Sequence, residues 1–328
     1  MTKPDKEHVF AISNAEHFNA LALQIFQYQA RHCKVYHDFI KGLQINPDQI
    51  TRIDDIPFLP ISFFKNHTVK SDTTQAETIF TSSGTTGVVT SQHFVTDVSW
   101  YEDSFRKAFA LFYGDIKSYT VLALLPSYLE REGSSLIYMA ADLIKQSENP
   151  DSGFYLYNHD ELYQQLIKQQ TVGKPTLLIG VTFALLDFVE QYQIDFPELI
   201  VMETGGMKGR RKEMIREELH SILCDGFGVN AIHSEYGMTE LLSQAYSKGD
   251  GIFACPPWMR ILIRDTNDPL SWVTKNRTGG INVIDLANIN SCSFIATQDL
   301  GRISDNGEFE VLGRFDNADI RGCNLLIA

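Results

Sequence analysis

Residues 119–125 read Tyr-Thr-Val-Leu-Ala-Leu-Leu, and this mostly apolar run ends at Pro126. Such a run is typical of a parallel strand that is buried on both faces of a sheet. Helices are predicted on both sides of it, at about residues 97–113 and 132–146. The alternation continues, with strands near 153–157, 175–180, 199–204 and 231–233 and helices near 159–170, 182–192 and 209–223. It indicates an α/β fold in which large, mostly parallel sheets are covered by helices.

The two ends of the chain read differently from this middle part. Residues 15–43 are predicted to be helical, at least in their first half, because apolar residues recur at a spacing of three to four. From about residue 250 the segments are shorter, and Asp305-Asn306-Gly307 between two β-like runs predicts a hairpin. We therefore predict two domains, an α/β core over residues 1–249 and a smaller β-rich lobe over residues 250–328.

The composition excludes several classes of protein. The chain has 328 residues, 44% of them hydrophobic and 21% charged, which is typical of a globular protein. A formal net charge of -13 argues against a nucleic-acid-binding or anionic-membrane surface. Charged residues interrupt every apolar run, so no membrane span is predicted. The five cysteines are scattered and form no Cys-x-x-Cys pair, which favours a reducing cytoplasm over a disulfide framework or a structural zinc site.

The loop that follows the β-like run Thr78-Ile-Phe80 is rich in hydroxyls and glycines. Such a loop can surround phosphate oxygens with backbone N–H groups and short O–H donors. A solvated turn has the same composition, so the loop alone leaves both interpretations open. It is not a Walker P-loop, because no Gly-Lys-Ser/Thr follows. Its residues are Thr81, Ser82, Ser83, Gly84, Thr85, Thr86 and Gly87.

Other polar segments follow predicted strands, where the ligands of an open parallel sheet bind. They are Pro126-Ser127, Thr204-Gly205-Gly206 and Ser234–Glu240, and with the loop at 81–87 they are expected to meet in one crevice. Just after Gly206, four cations between Lys208 and Lys212 crowd a predicted helix start, where a nearby phosphate or plain solvation would make them tolerable.

The stretch Tyr236-Gly237-Met238-Thr239-Glu240 offers several kinds of chemistry. Glu240 can hold Mg²⁺, Thr239 can donate to a phosphate oxygen, and the Tyr236 ring can stack on a base. A buried Tyr beside a solvated Thr-Glu turn is the competing interpretation. His233 either orients a substrate or is a structural histidine.

Two charged residues near the end of the sequence complete the set of candidates. Asp299, in Thr297-Gln-Asp-Leu-Gly301, is placed as if at a strand end, where its carboxylate can accept two ribose hydroxyls. Arg314, in Gly313-Arg-Phe-Asp316, can reinforce the same sugar or a phosphate.

These segments, in this order, resemble the core motifs of the adenylate-forming superfamily of acyl-CoA synthetases, luciferases and peptide-synthetase adenylation domains. The resemblance covers residues from about 50 onward and implies the fold of the N-terminal domain of those enzymes. It implies that the loop at 81–87 holds ATP phosphates and that Gly205-Gly206 abuts the adenine. It further implies an adenine-stacking Tyr236, an α-phosphate-binding Thr239, a Mg²⁺-binding Glu240, a ribose-binding Asp299 and a hinge at 313–316.

The sequence departs from this pattern in two places. The family loop usually continues Gly-x-Pro-Lys, whereas Gly87-Val-Val-Thr90 stands here, without a lysine. The family hinge is normally followed by a further domain that bears a catalytic lysine, and no lysine follows Lys275 in this sequence. We therefore expect acyl-adenylate formation either without that lysine or with another one.

One subgroup without the extra domain is similar in more detail, namely the acyl-protein synthetases, or long-chain-fatty-acid–luciferin-component ligases, of bacterial luminescence. The similar stretches are Asp54-Asp-Ile-Pro57, Phe63-Phe-Lys65, Phe80–Gly87 and Arg321-Gly-Cys-Asn-Leu325. In that group a cysteine near the C-terminus receives the acyl group as a thioester, and Cys323 stands at the matching place. An isolated cysteine is also commonly a small buried apolar residue.

The resemblance predicts an AMP-forming ligase that uses ATP and Mg²⁺ to activate a carboxylic acid, such as a fatty acid, and passes the acyl group to a thiol. One alternative is a ligase whose acceptor is coenzyme A or a carrier protein. Another is a non-catalytic protein that binds a nucleotide or a partner on the same fold. An acyl-accepting protein partner, such as a reductase, is expected by analogy only.

Overall fold

The computed structural model describes residues 2–82, 90–126, 133–205 and 214–315. The α-helices within these ranges are α1 (Lys6–Phe10), α2 (Ala15–His32), α3 (Lys34–Gly42), α4 (Phe63–Asn66), α5 (Ser99–Tyr113), α6 (Ser135–Gln146), α7 (His159–Val172), α8 (Thr182–Val189) and α9 (Arg216–Phe227). Short 3-10 turns lie at Pro47–Gln49, Ile53–Asp55, Ile116–Ser118 and Leu286–Asn288.

The strands within the same ranges are β1 (Leu59–Pro60), β2 (Thr78–Thr81), β3 (Gln92–Val95), β4 (Thr120–Leu124), β5 (Gly153–Tyr155), β6 (Thr176–Gly180), β7 (Ile200–Glu203), β8 (His233–Tyr236), β9 (Ala245–Ser247), β10 (Ile252–Ala254), β11 (Met259–Arg264), β12 (Gly279–Asp285), β13 (Phe294–Ile303) and β14 (Phe309–Arg314). Twelve of them form one sheet in the order β11-β12-β13-β14-β10-β9-β8-β7-β6-β4-β5, with β1 parallel to β13. Strands β2 and β3 form a separate antiparallel pair.

The sheet is parallel where strands alternate with helices along the chain. Strands β5, β4, β6, β7 and β8 are parallel neighbours, and every residue of β4 and β6 is buried. Alternate residues of β6 enter two different cores, with Leu177 and Ile179 on one face and Leu178 on the other. Helices α5 and α6 contribute mainly to the first core, and α7, α8 and α9 to the second. The predicted α/β fold with helix-covered strands is confirmed.

The other half of the sheet is antiparallel. Strand β9 runs antiparallel to β8, and the strands from β10 to β14 continue the sheet in antiparallel pairs. The predicted hairpin joins β13 to β14, with Gly307 at a φ of 88° in its turn. Because β9 and β10 are hydrogen-bonded neighbours, the sheet is continuous past residue 250. The domain boundary at residues 249/250 stays a prediction.

Three predicted elements differ in their bounds from the observed ones. The helix predicted over 15–43 is broken at Cys33, whose ψ of 100° is extended. The helix predicted from 209 begins at Arg216 instead, because Ile215 is extended at a ψ of 150°. The cations between Lys208 and Lys212 therefore precede this helix, and they lie outside the described residues. The last parallel strand starts later than predicted, so Tyr236 lies in β8 rather than in the loop after it.

The segment around β1 connects two parts of the fold that are distant in sequence. Leu59 and Pro60 pair with β13, and the N–H of Ile61 donates to the carbonyl of Ala296 at 2.9 Å. Phe64 of α4, which follows, packs edge-on against His93 of β3 with ring centroids 5.6 Å apart. Residues 59–66 therefore lie between β13 and the β2–β3 pair that flanks residues 82–91. Among the described helices, none is long and apolar enough to cross a lipid bilayer.

Candidate functional site

A cavity of about 470 Å³ opens where the carboxyl ends of β2, β7 and β8 meet the β13–β14 pair. Binding sites for small molecules are typically clefts of this size. The predicted residues that line it are Thr81, Ser82, Gly205, Gly237, Thr239, Glu240, Asp299 and Arg314. Three of the four polar segments that the sequence predicts to share a crevice therefore line one space together with Asp299 and Arg314, whereas Pro126 of the fourth segment does not line it.

Several predicted residues cannot be placed, because they lie outside the described residues. They are Ser83, Gly84, Thr85, Thr86, Gly87, Gly206 and Cys323, together with Ser127 and Arg321.

The two ends of the Ser/Thr/Gly loop are joined by hydrogen bonds at its base. The N–H of Ser82 donates to the carbonyl of Ser91 at 3.1 Å, and the N–H of Ser91 donates to Ser82 Oγ at 2.9 Å. The N–H of Thr81 donates to the carbonyl of Gly133 at 2.7 Å, and a Cβ at Gly133 would lie 2.9 Å from the Ile79 carbonyl oxygen. These contacts fix the point at which the loop leaves β2.

The turn that carries Thr239 and Glu240 is held by buried side chains from other elements. His93 Nδ1 donates to the Thr239 carbonyl at 2.9 Å, and Asn288 Nδ2 donates to the Glu240 carbonyl at 2.8 Å. The Asp285 carboxylate accepts the N–H groups of Leu242 at 2.7 Å and Ser243 at 3.0 Å. The turn is therefore anchored on its core side, while its other side faces the cavity.

Burial sets the protonation of the groups around this turn. Glu240 is only 5% exposed, and burial raises the pKa of its carboxyl despite opposing contributions from the Ser91 hydroxyl and Arg314. Burial also raises the pKa of Asp285 to about 6 and lowers the pKa of His93 to about 4. Glu240 is buried beside the cavity and has no ion-pair partner among the described residues. A bound cation would stabilise such a carboxylate, so Glu240 has the right chemistry for a metal ligand.

Asp299 is bound by two partners in the wall of the cavity. Tyr236 Oη donates to Asp299 Oδ2 at 2.9 Å, and Arg314 Nε donates to Oδ1 at 3.1 Å. The prediction that Asp299 lies at a strand end is wrong, because β13 continues to Ile303 and pairs with β14 from Asp299 onward. The carboxylate oxygens keep acceptor capacity beyond these two bonds.

The side chain of Tyr236 lies in an aromatic cluster. Its ring meets Phe253 and Phe309 edge-on, with centroids 6.0 and 5.5 Å away. Only 8% of Tyr236 is exposed, while its neighbours Glu235 and Gly237 line the cavity. The described contacts of Tyr236 are those of a residue that positions Asp299, and base stacking stays a prediction.

His233 lies apart from the cavity-lining residues. Its Nδ1 is 3.1 Å from Tyr113 Oη, and the two rings are 5.7 Å apart. Burial, and then the nearby Lys248, lower its pKa to about 4. These contacts favour the structural interpretation of His233 over substrate orientation.

The end of β7 is shaped by the buried Glu203. Its carboxylate accepts the N–H of Gly205 at 2.7 Å and the hydroxyl of Thr182 at 3.1 Å, and His220 Nε2 lies 3.9 Å away. Burial acts to raise the pKa of Glu203, but the interactions with His220 and Gly205 outweigh it and hold the pKa below its usual value. Gly205 itself has a φ of 71°, which glycine adopts without strain.

The sequence analysis gives no role to Lys65, Glu235 and Gln244, which also line the cavity. Lys65 stands in the Phe-Phe-Lys stretch of the resemblance, but only the anchoring of β1 to β13 brings it to this place. Glu235 precedes Tyr236 in the same strand, so its cavity-facing position depends on the observed register of β8. Within the described residues, no group of three or more His, Cys, Asp or Glu is arranged to hold a metal ion.

The chain is similar in sequence to known proteins over part of its length. Residues 8–103 match the family model described as "Acyl-protein synthetase, LuxE". A curated relative, the long-chain-fatty-acid–luciferin-component ligase of Photorhabdus luminescens, is 39% identical over 69 residues, which are 21% of this chain and 59% of the relative. The matched part thus spans less than two thirds of that relative.

Solved structures resemble the fold over a larger part of the chain. A 2-hydroxyisobutyryl-CoA ligase, solved with 2-HIB-AMP and CoA, is similar with a TM-score of 0.72 and 13% identity over 96% of this chain and 72% of that one. The ATP-bound MatB of Rhodopseudomonas palustris has a TM-score of 0.54 and 17% identity over 72% of this chain and 47% of that one. At such identities the likeness concerns the fold alone. The predicted resemblance to adenylate-forming enzymes, and to the acyl-protein synthetase group, is confirmed.

Proposed function

We propose that the cavity binds ATP and a carboxylic acid and joins them into an acyl adenylate with release of pyrophosphate. The observation that carries this proposal is that Thr81–Ser82, Thr204–Gly205, Gly237–Glu240 and Asp299 line one space, although they are far apart in sequence. The acyl-protein synthetase match over residues 8–103 supports the same reaction class.

The charges of the cavity wall suit a nucleotide with its metal ion. Asp299, held by Tyr236 and Arg314, would accept the ribose hydroxyls. The hydroxyls of Thr81 and Ser82 would bind the phosphates together with the other residues of the same loop, and Lys65 would supply positive charge. Lys65 has no ion-pair partner among the described residues, whereas Arg314 is paired with Asp299. Lys65 is thus the uncommitted cation of the described cavity wall.

Glu240 and Thr239 would hold the end of the nucleotide where the reaction occurs. Glu240 would be a ligand of Mg²⁺, which when bound neutralises negative charge on the phosphates. Thr239 would donate its hydroxyl to an α-phosphate oxygen. Because His93 and Asn288 hold the backbone of both residues, this arrangement needs little reorganisation when charge develops on the phosphate.

The reaction would proceed in two steps. A carboxylate oxygen of the acid attacks the α-phosphorus of ATP, a new O–P bond forms, and the bond to pyrophosphate breaks. A thiolate then attacks the carbonyl carbon of the mixed anhydride, a thioester forms, and AMP leaves with the electron pair of the broken C–O bond. The name of the Photorhabdus luminescens relative specifies a long-chain fatty acid. We therefore propose a fatty acid as the substrate class here.

We propose Cys323, which lies outside the described residues, as the thiol that receives the acyl group. The described cysteines are poor nucleophiles, because burial raises the pKa of Cys33 to about 11, of Cys255 to about 12, and of Cys224 and Cys292 above the usual value. None of these four lines the cavity. Coenzyme A or a carrier-protein thiol is the alternative acceptor, and an acyl-accepting protein such as a reductase is the proposed partner. Free thiols fit a cytoplasmic location, which we also propose.

The test is acid-dependent exchange of labelled pyrophosphate into ATP with a panel of acids. Wild-type protein should catalyse exchange, and Glu240→Ala should abolish it. The matched control is Glu218→Ala on the exposed face of α9, which should leave exchange unchanged. ATP binding without exchange for any acid would favour the non-catalytic nucleotide-binding alternative and contradict the proposal.

The acceptor is tested separately by intact-protein mass spectrometry with ATP, Mg²⁺ and the activated acid. Self-acylation predicts an adduct of the acyl mass on Cys323, which Cys323→Ser removes while exchange survives. An unmodified protein that transfers the acyl group to added coenzyme A or a carrier protein would assign the acceptor to that alternative.

A further inference from the structure

We propose that Glu235 and Gln244 form a subsite for a hydrogen-bond-donating group, a hydroxyl or an ammonium, carried on the chain of the acid that this cavity activates. The proposal rests on the proposed function and deepens it, since it gives the substrate a polar substituent in addition to its carboxylate.

The two side chains are neighbours in the cavity wall. Glu235 lies in β8, and Gln244 directly precedes β9, which is antiparallel to β8. A Cβ at Gly237 would collide with Glu235 Oε1 and lie 3.3 Å from Gln244 Cγ, so both side chains pack over the same glycine. Tyr246 pairs with Glu235 across the two strands. The cluster is therefore a fixed feature of the β8–β9 pair.

Within the described part of the chain, polar groups of this cluster lack a hydrogen-bond partner. Gln244 is 3% exposed and its amide oxygen makes no hydrogen bond, and Tyr246 is 2% exposed and its hydroxyl makes none. The Glu235 carboxyl has no hydrogen-bond partner among the described residues. Buried polar groups are nearly always paired, and leaving one unpaired destabilises the protein. A ligand group that bonds to Gln244, which lines the cavity, would satisfy its amide oxygen.

Three buried carboxylates near the site are satisfied by the protein. Asp299 is bonded to Tyr236 and Arg314, and Glu203 accepts from Thr182 and Gly205. Asp285 accepts from three backbone N–H groups and a serine hydroxyl. Glu235 thus differs from them in facing the cavity without a partner, which is the position of a group that binds a ligand.

The electrostatics fit a donor-bearing ligand. Burial, and then repulsion from Glu203, raise the pKa of Glu235 to about 8, so that a neutral carboxyl and a carboxylate are both accessible near neutral pH. The neutral form both donates to and accepts from a hydroxyl, and the ionised form pairs with an ammonium. A hydroxyl that accepts a hydrogen bond from the neutral carboxyl can donate its single O–H to the Gln244 amide oxygen, and an ammonium has further N–H groups for that oxygen.

The surroundings of Glu235 suit the carbon chain of an acid. Burial, and then the nearby charge of Glu235, raise the pKa of the hydroxyl of Tyr101 in α5. This hydroxyl donates to the Ser135 carbonyl at the start of α6 at 2.9 Å. From α6, Leu136 and Met139 line the same cavity. An apolar chain packed on these two side chains would carry its polar substituent past Glu235.

The test compares acids of one chain length that are unsubstituted, hydroxyl-substituted or amino-substituted at successive carbons. For wild-type protein, kcat/KM in the pyrophosphate exchange should be at least about tenfold higher for one substituted series than for the unsubstituted acid. Glu235→Leu and Gln244→Leu should each remove this preference. Glu235→Gln should keep a preference for hydroxy acids and lose one for amino acids, which identifies the donor. The controls are Glu198→Leu and Gln191→Leu, which are exposed and should keep the wild-type preference.

Calorimetric binding of the same acids separates this proposal from the proposed reaction. A preference for a substituted acid in binding, without any exchange, would support the subsite and contradict the reaction. Equal binding of all three series, no binding of any, or a preference that survives Glu235→Leu and Gln244→Leu would overturn the subsite.

Discussion

Two adjacent residues at the carboxyl end of strand β8, Glu235 and Tyr236, differ in how the polar groups around them are paired. At Tyr236 the polar side chains are bonded to one another, since Tyr236 and Arg314 both donate to Asp299. One residue earlier, the Glu235 carboxyl has no hydrogen-bond partner among the described residues, and neither do the neighbouring Gln244 amide oxygen and Tyr246 hydroxyl. We call the first set the Asp299 side and the second the Glu235 side.

The difference distinguishes side chains that the protein orients before binding from side chains whose hydrogen bonds a ligand would complete. On the Asp299 side the side chains are already oriented by each other, as expected for a site that binds an invariant molecule such as a nucleotide. On the Glu235 side the protein has left hydrogen-bonding capacity unused, as expected where the ligand decides specificity. Substitutions on the two sides should therefore affect different substrates.

The largest expected effect comes from breaking the Asp299 side. Asp299→Ala removes the carboxylate proposed for the ribose and leaves Arg314 and the Tyr236 hydroxyl unpaired. We expect kcat/KM for ATP in the exchange reaction to fall by at least about 100-fold, since two hydrogen bonds to a charged group are lost. The relative order of acids should stay the same. Asp305→Ala, at an exposed aspartate near Lys275, is the control, and an equal loss in both variants would argue against a specific role for Asp299.

A smaller effect is expected from substitution of Lys65, which has no ion-pair partner among the described residues. This substitution tests whether Lys65 binds the nucleotide. Lys65→Met should raise KM for ATP roughly 10- to 100-fold, because a charge-assisted contact to phosphate is lost, while KM for the acid changes little. Lys65→Arg should restore part of the affinity. The control is Lys41→Met, at an exposed lysine in the last turn of α3. A rise in the KM of the acid instead would move Lys65 to the acyl part of the site.

The smallest effect on catalysis, and a clear one on stability, is expected at Asp285, which anchors the turn after Glu240. The folded-state pKa of about 6 is above the usual value of 3.8, so the contribution of Asp285 to stability is full below about pH 4 and is lost as the pH rises through 6. The free energy of unfolding of Asp285→Asn should thus improve relative to wild type by on the order of 3 kcal/mol between pH 4 and pH 7. Denaturant unfolding at several pH values measures this.

The matched control for that series is Asp268→Asn, at an exposed aspartate whose pKa is lowered by the Ser271 hydroxyl. Curves for Asp285→Asn and wild type that stay parallel across this pH range would show that Asp285 does not titrate as burial requires.

Much of the fold could be predicted from local pattern. Strands such as β4 and β6 are buried on both faces, and their apolar runs indicate this burial in the sequence. The antiparallel continuation through β9 and β10 was not visible, because those strands are three residues long and carry little periodicity. The start of α9 was predicted too early, because the charged residues before Arg216 are of types that favour helices.

Site residues that belong to a short motif could be predicted from the sequence, whereas residues that only tertiary packing places in the site could not. Thr239, Glu240 and Asp299 belong to short motifs, and all three line the cavity. The partners His93, Asn288 and Asp285 belong to no motif, and their roles depend on tertiary contacts across long sequence separations. The same is true of Gln244, whose unpaired amide is a property of its surroundings.

The most direct test of the central claim follows the oxygen atoms of the acid. With a carboxylic acid labelled with ¹⁸O in both carboxylate positions, attack on the α-phosphorus followed by thiolysis leaves one labelled oxygen in AMP. The account predicts singly labelled AMP and unlabelled pyrophosphate from wild-type protein with ATP and Mg²⁺, and no labelled AMP from Glu240→Ala. Label in inorganic phosphate with formation of ADP, or unlabelled AMP during acid-dependent turnover, would contradict it.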